Sequence, residues 1–169
     1  MRSPSRKTAA VPGKGRRLAR VIPACALLAL AACAEKTEVA TPPAPTGDLE
    51  VRVSGLRSAD GLLLVSLFDD AEGFPDAADR ALQTRTAVLN KGLGPFRFSG
   101  LPHGAYAVAV LHDENGNGKM DVSFLGIPKE GAGASNNPEP RMGPPSYEEC
   151  RFALNSDKLA LDIDLVYPP

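Results

Sequence analysis

Residues 112–121 read His-Asp-Glu-Asn-Gly-Asn-Gly-Lys-Met-Asp, and side-chain oxygens recur there at Asp113, Asn115, Asn117 and Asp121. A loop that wraps a hard cation such as calcium needs oxygens at this spacing, with a glycine where the chain turns sharply. Counted from Asp113, the oxygens fall at positions 1, 3, 5 and 9 of a twelve-residue calcium loop and Gly118 falls at position 6. Lys119 would lend its backbone carbonyl at position 7, but Phe124 stands at position 12, where a bidentate Glu closes the shell. Only Asp113 and Asp121 bring formal charge, so any calcium ion here is expected to be weakly bound. Asn-Gly-Asn-Gly also makes a tight turn with no metal, because Asn and Gly tolerate positive φ. Both readings stand.

The segment before the loop, residues 105–111, has a strand's alternation: Tyr106, Val108 and Val110 on one face, small Ala residues and Leu111 on the other. The oxygen-rich loop is therefore expected to hang from a strand rather than between paired helices. Six further runs share the two-residue period. They are Leu49, Val51 and Val53; Leu63, Val65 and Leu67; residues 84–89; Phe96 and Phe98; Phe152 and Leu154; and Leu159, Leu161, Ile163 and Leu165. About seven short strands with turn signals between them predict an all-β fold, an antiparallel Greek-key sandwich of the immunoglobulin or transthyretin type, over residues 48–169. One short helix is expected over residues 75–82, where Pro75 would open the first turn and Asp76 and Asp79 would complement its positive end. Leu-Pro-His-Gly-Ala-Tyr at residues 101–106 marks a corner whose Tyr106 enters the core while its hydroxyl ties down a neighbouring loop. His103 is expected to be a turn residue.

Residues 122–147 form a long Gly-, Pro- and Asn-rich connection with little regular pattern, a length that in compact domains goes with function or disorder. Following the oxygen-rich loop, it could be pinned by the cation, with Glu130 supplying the carboxylate that Phe124 cannot. Ser135, Asn136, Asn137 and Tyr147 are the residues this connection would present to a partner.

The N-terminus has the pattern of an export signal over residues 1–32. Arg2, Arg6, Lys7, Lys14, Arg16, Arg17 and Arg20 precede an apolar stretch at residues 21–32 that is shorter than the roughly 20 residues a membrane span needs. Leu30-Ala31-Ala32-Cys33 matches a lipobox, in which Cys33 is acylated and becomes the new N-terminus; Ala32-Cys33-Ala34 also suits ordinary secretory cleavage. Arg16-Arg17 lacks the hydrophobic pair that a twin-arginine signal requires directly after it. Residues 33–47 are rich in Pro and Thr and read as a tether. Ala34 after Cys33 points to the periplasmic face of the outer membrane or the cell surface, the alternative being a soluble periplasmic or secreted protein.

Seven of the chain's 19 basic residues and none of its 20 acids precede Cys33, leaving 12 basic against 20 acidic residues, a net of −8, after it. So acidic a domain is a poor candidate for nucleic acid, whose binding rests on neutralising phosphates, and suits a cation or a basic partner better. Of the three cysteines, Cys25 and Cys33 lie at or before the cleavage site, so Cys150 stands alone, on a β-type run, as a small core residue. A hydrolytic set would need His112 and Asp113 to work with Ser135 or Ser146, but neighbours on a strand point to opposite faces.

The series His-Asp-Glu-Asn-Gly-Asn-Gly at 112–118, Gly-Ile-Pro-Lys-Glu at 126–130, Gly-Ala-Ser-Asn-Asn at 133–137 and Gly-Pro-Pro-Ser-Tyr at 143–147 resembles the exported bacterial family known as domain of unknown function 2141. The resemblance extends over about residues 49–167 and implies a small exported β domain, with no activity to carry over. Residues and resemblance together lead to an exported, lipid-anchored, non-catalytic binding module for an envelope protein or glycan. A metal-free structural or assembly component is the second reading, and a hydrolase the third.

Overall fold

The computed structural model describes residues 43–89, 92–141 and 143–168. The expected export signal, Cys33 and most of the expected tether lie outside these residues, and no helix among the described residues is long and apolar enough to cross a membrane. Among the described residues, eight strands build two sheets: β1 (Thr46–Ser54), β2 (Leu62–Phe68), β3 (Gln83–Val88), β4 (Phe96–Pro102), β5 (Gly104–Asp113), β6 (Gly131–Ala134), β7 (Phe152–Leu154) and β8 (Lys158–Asp164). One sheet runs β4-β1-β8 and the other β3-β2-β5-β6, with β7 added on the first turn of β5.

All seven expected strands are present. The pairing is mixed rather than wholly antiparallel, because β8 lies parallel to β1 from Asp48↔Lys158 to Ser54↔Asp164. The eighth strand, β6, falls inside the supposed long loop. Its sequence, Gly-Ala-Gly-Ala, has no apolar alternation to betray it.

Period-two patterning places the core. Leu49, Val51, Leu63, Val65, Leu67, Phe98, Val108, Val110 and Ile163 meet between the sheets. The Tyr106 hydroxyl donates to the Pro102 carbonyl at 2.7 Å, the expected corner. A second, smaller cluster lies on the far face of β2 and β5, where Phe68, Ala107, Ala109 and Ala134 are covered by Tyr147 and Cys150. The alanines of β5 leave room for that cover.

The cover is a helix, α1 (Tyr147–Cys150), which the expectation of a β-type run at Cys150 missed. Ser146 and Glu149 form a capping box, the reciprocal pairing that satisfies otherwise orphaned N–H groups at a helix start. Conversely, the helix expected over residues 75–82 is only a 3-10 turn, Ala78–Arg80, with no side-chain cap. Eight residues lie below the length at which propensity holds a helix, so packing decides. Phe74 packs edge-on against Phe68 at 5.3 Å and Tyr147 at 5.8 Å, drawing this segment onto the second cluster.

After β8 the chain leaves the first sheet for the edge of the second. Val166 exchanges both backbone hydrogen bonds with Ala132 of β6, at 3.0 and 2.8 Å. That approach needs glycine opposite: a Cβ on Gly131 would sit 2.3 Å from the Tyr167 ring, and one on Gly133 2.9 Å from the Asp164 carbonyl oxygen and from Ile163.

Candidate functional site

The end of β5 delivers the oxygen-rich loop as expected. Asp113 is fully buried, and its carboxylate accepts three backbone N–H groups: Oδ1 those of Gly116 (2.8 Å) and Asn117 (3.0 Å), and Oδ2 that of Gly118 (2.7 Å). Gly116 and Gly118 have φ of 75° and 79°, a conformation that glycine adopts without steric cost. Asp121 faces back into the loop, where Asn115 Nδ2 donates to Oδ2 at 2.5 Å and Asn117 Nδ2 to Oδ1 at 3.0 Å. The Lys119 N–H donates to Asn117 Oδ1 at 3.0 Å, and its side chain is exposed. Three of the expected oxygen-bearing residues thus converge on one point, while Asp113 holds the backbone beneath them.

Glu130 joins the loop from the far side. Nearly buried, it accepts the Glu114 N–H on Oε1 and the Asp121 N–H on Oε2, both at 2.9 Å. One carboxylate thereby clamps the loop's entrance to its exit. Phe124, at the position where a closing ligand belongs, is 96 % exposed and takes no part. Among the described residues no three His, Cys, Asp or Glu side chains gather as a metal set.

Three residues unsuspected from sequence complete this end of the sandwich. Arg57 donates to Glu114 through Nε (2.9 Å) and Nη2 (2.5 Å), reaches the Lys129 carbonyl at 3.1 Å, and stacks 4.5 Å over the Tyr167 ring. This pairing holds the Glu114 carboxyl below its ordinary range, while burial pushes the Tyr167 phenol up. Asp60 accepts His112 Nε2 on its carbonyl at 2.9 Å. Since a carbonyl can only accept, Nε2 carries a proton, and in the neutral ring Nδ1 accepts the Tyr167 hydroxyl at 2.6 Å. None of Arg57, Asp60 and Tyr167 has a local signal, since each is remote in sequence from the loop it supports.

Of the residues expected to face a partner, Ser135 and Tyr147 are buried, while Asn136 and Asn137 are exposed but have their amides engaged by backbone. Ser135 is fully buried; its hydroxyl accepts the Val108 N–H at 2.9 Å and donates to the Cys150 carbonyl at 2.6 Å. Tyr147 is buried, with its hydroxyl on the Ala105 carbonyl at 3.2 Å. Asn136 and Asn137 adopt positive φ, 66° and 45°, so that their amides can cap other segments. Asn136 donates to the Glu149 and Arg151 carbonyls, while Asn137 bridges the Asp162 carbonyl and the Asp164 N–H. Ser135 and Tyr147 are therefore architectural, joining α1 to β5, and the two exposed Asn residues tie the end of β6 to the end of α1 and to β8. Ser146 caps α1, so His112, Ser135 and Ser146 are each engaged with different partners and share no hydrogen bond.

Fold and site define a class, a small β-sandwich domain with a carboxylate-braced, oxygen-rich loop at one end. The chain belongs to the bacterial family described as uncharacterized protein conserved in bacteria (DUF2141), whose family model matches residues 51–161. No curated protein and no solved structure matches it.

Proposed function

We propose that the domain is a non-catalytic interaction module of the cell envelope, exported and carried on an acylated Cys33, that meets an envelope protein or glycan through the loop end. The observation that carries this reading is the convergence of Asn115, Asn117 and Asp121 above a backbone already held by Asp113 and Glu130. Topology agrees with it. Thr46, where the tether joins, pairs with Pro102, whereas Asp113 closes β5 at the opposite end, ten residues or about 33 Å of strand away.

The loop residues suit a weakly bound calcium ion. Turning the two Asn amides over would exchange their nitrogens for carbonyl oxygens beside the Asp121 carboxylate, and Asp113 Oδ2 accepts a single N–H. Ligands would be Asp113, Asn115, Asn117 and Asp121, with Lys119 contributing its carbonyl and Glu130 bracing the exit. The metal-free reading is favoured by a different observation: Asp113 and Glu130 already take five backbone N–H groups between them.

The test is the melting temperature of residues 43–169 in excess chelator and across calcium up to millimolar. Calcium at about 100 times Kd is expected to add about 2.7 kcal/mol, saturably. Asp121→Asn is expected to remove that rise while keeping the fold, since Asp113 and Glu130 still bind the backbone. An unmoved melting temperature would leave the metal-free module. Sustained turnover of ester or glycoside substrates, lost on His112→Ala, would overturn the non-catalytic reading.

A further inference from the structure

Beyond the loop's clamp, residues 122–128 project as a small closed turn. Val122 bridges Pro128, the Ser123 N–H donates to the Ile127 carbonyl at 2.7 Å, and the Gly126 N–H donates to the Ser123 carbonyl at 2.9 Å. With its backbone satisfied, the turn sends its apolar side chains outward: Val122 is 53 %, Phe124 96 %, Leu125 69 % and Ile127 51 % exposed. Four exposed apolar residues within six positions, the largest almost free of contact, are unusual for a surface turn and mark an interaction site. The tip does not depend on calcium, because the Glu130 clamp and the Lys129 N–H to Asp121 carbonyl bond, 2.8 Å, hold its base.

The unpaired charge flanking it is cationic. Lys119 and Lys129 bracket the tip, both exposed and without an ion pair among the described residues. The nearby acids are engaged in hydrogen bonds: half-buried Asp121 receives the two Asn amides, Glu130 is buried on backbone N–H groups, and Glu114 is bound by Arg57. In a domain that is acidic as a whole, this segment shows apolar side chains flanked in sequence by two ammonium groups that no carboxylate among the described residues pairs. A convex tip of that composition has no need of a matching pocket. It fits an anionic bilayer, which yields around Phe124, Leu125 and Ile127 while the lysines remain at headgroup level.

We infer that residues 122–127 form a membrane-inserting tip for an anionic lipid surface, a contact separate from any acyl anchor at Cys33. The chain contains no tryptophan, so Phe124→Trp places a sole reporter at the tip of the full-length protein. With vesicles of phosphatidylglycerol and phosphatidylethanolamine, its emission is expected to shift to shorter wavelength and to be quenched by brominated acyl chains. Both effects should be weaker with phosphatidylcholine alone. Adding Leu125→Asp and Ile127→Asp, at exposed positions the fold does not use, is expected to weaken the emission-monitored binding about tenfold or more. Vesicle association that leaves the reporter's emission unchanged would mean attachment through the N-terminus only and would overturn the inference. Absence of any association would overturn it equally, and leave the tip to a protein surface.

Discussion

Glu130 and Asp113 show how much a single buried carboxylate can organise when its partners are backbone N–H groups. Glu130→Gln keeps one acceptor but sets an NH2 group against an N–H donor. The loss expected is about 1–3 kcal/mol, read as a lower urea midpoint with an unchanged slope. A variant as stable as the parent would show that the clamp contributes nothing. Asp113→Ala should cost at least as much, because three N–H groups lose their acceptor together; its effect on calcium binding would therefore be confounded with stability. Cys150 is the opposite kind of residue, lone and sealed. Burial pushes its thiol up to about 11, so a thiol reagent at pH 8 is expected to leave it unlabelled until the protein is unfolded. Of these residues, the spacing of Asp113, Asn115, Asn117 and Asp121 was legible because calcium chemistry and turn chemistry both write it locally. Arg57, Asp60 and Tyr167 were not, because a side chain that crosses the domain to reach a loop has no neighbour in sequence to announce it.

Among the elements, α1 illustrates a signal present but overlooked, the Ser-x-x-Glu spacing of Ser146 and Glu149. Ser146→Ala should cost about 1 kcal/mol, measured by chemical denaturation. The Ser146 hydroxyl, its N–H and the Arg141 guanidinium hold the Glu149 carboxyl down to about 2. A depressed carboxyl stabilises the fold above its ordinary value of 4.5, and that contribution is lost as the pH falls towards about 2. Between those values the melting temperature of Ser146→Ala should therefore fall less steeply than that of the parent. β6 had no such signal. Its glycines are explained only by what crosses them, and Gly131→Ala is expected to displace Tyr167 from His112 at a cost of about 1–3 kcal/mol.

At the scale of the molecule, the crossing of the chain after Asp164 joins the two sheets along the β6 edge and closes one end over His112. A chain ending at Asp164 loses buried Leu165, the paired hydrogen bonds of Val166 and the Tyr167 lid. Its stability is expected to fall by about 3 kcal/mol or more, seen as a lower melting temperature; an unchanged value would mean that the sheets hold without the crossing. Alternation of apolar residues was enough by itself to specify an all-β chain and the faces of seven strands, since burial of one face is enforced at every second residue. Local spacing likewise specified the loop and the Tyr106 corner. The parallel pairing of β8 with β1, the strand hidden in Gly-Ala-Gly-Ala, the burial of Ser135 and Tyr147, the backbone partners of Asn136 and Asn137, and the Glu130 clamp were decided only by tertiary structure. In each of these the deciding partner lies far along the chain, and polar groups that look free in sequence are taken up by backbone that folding brings to them.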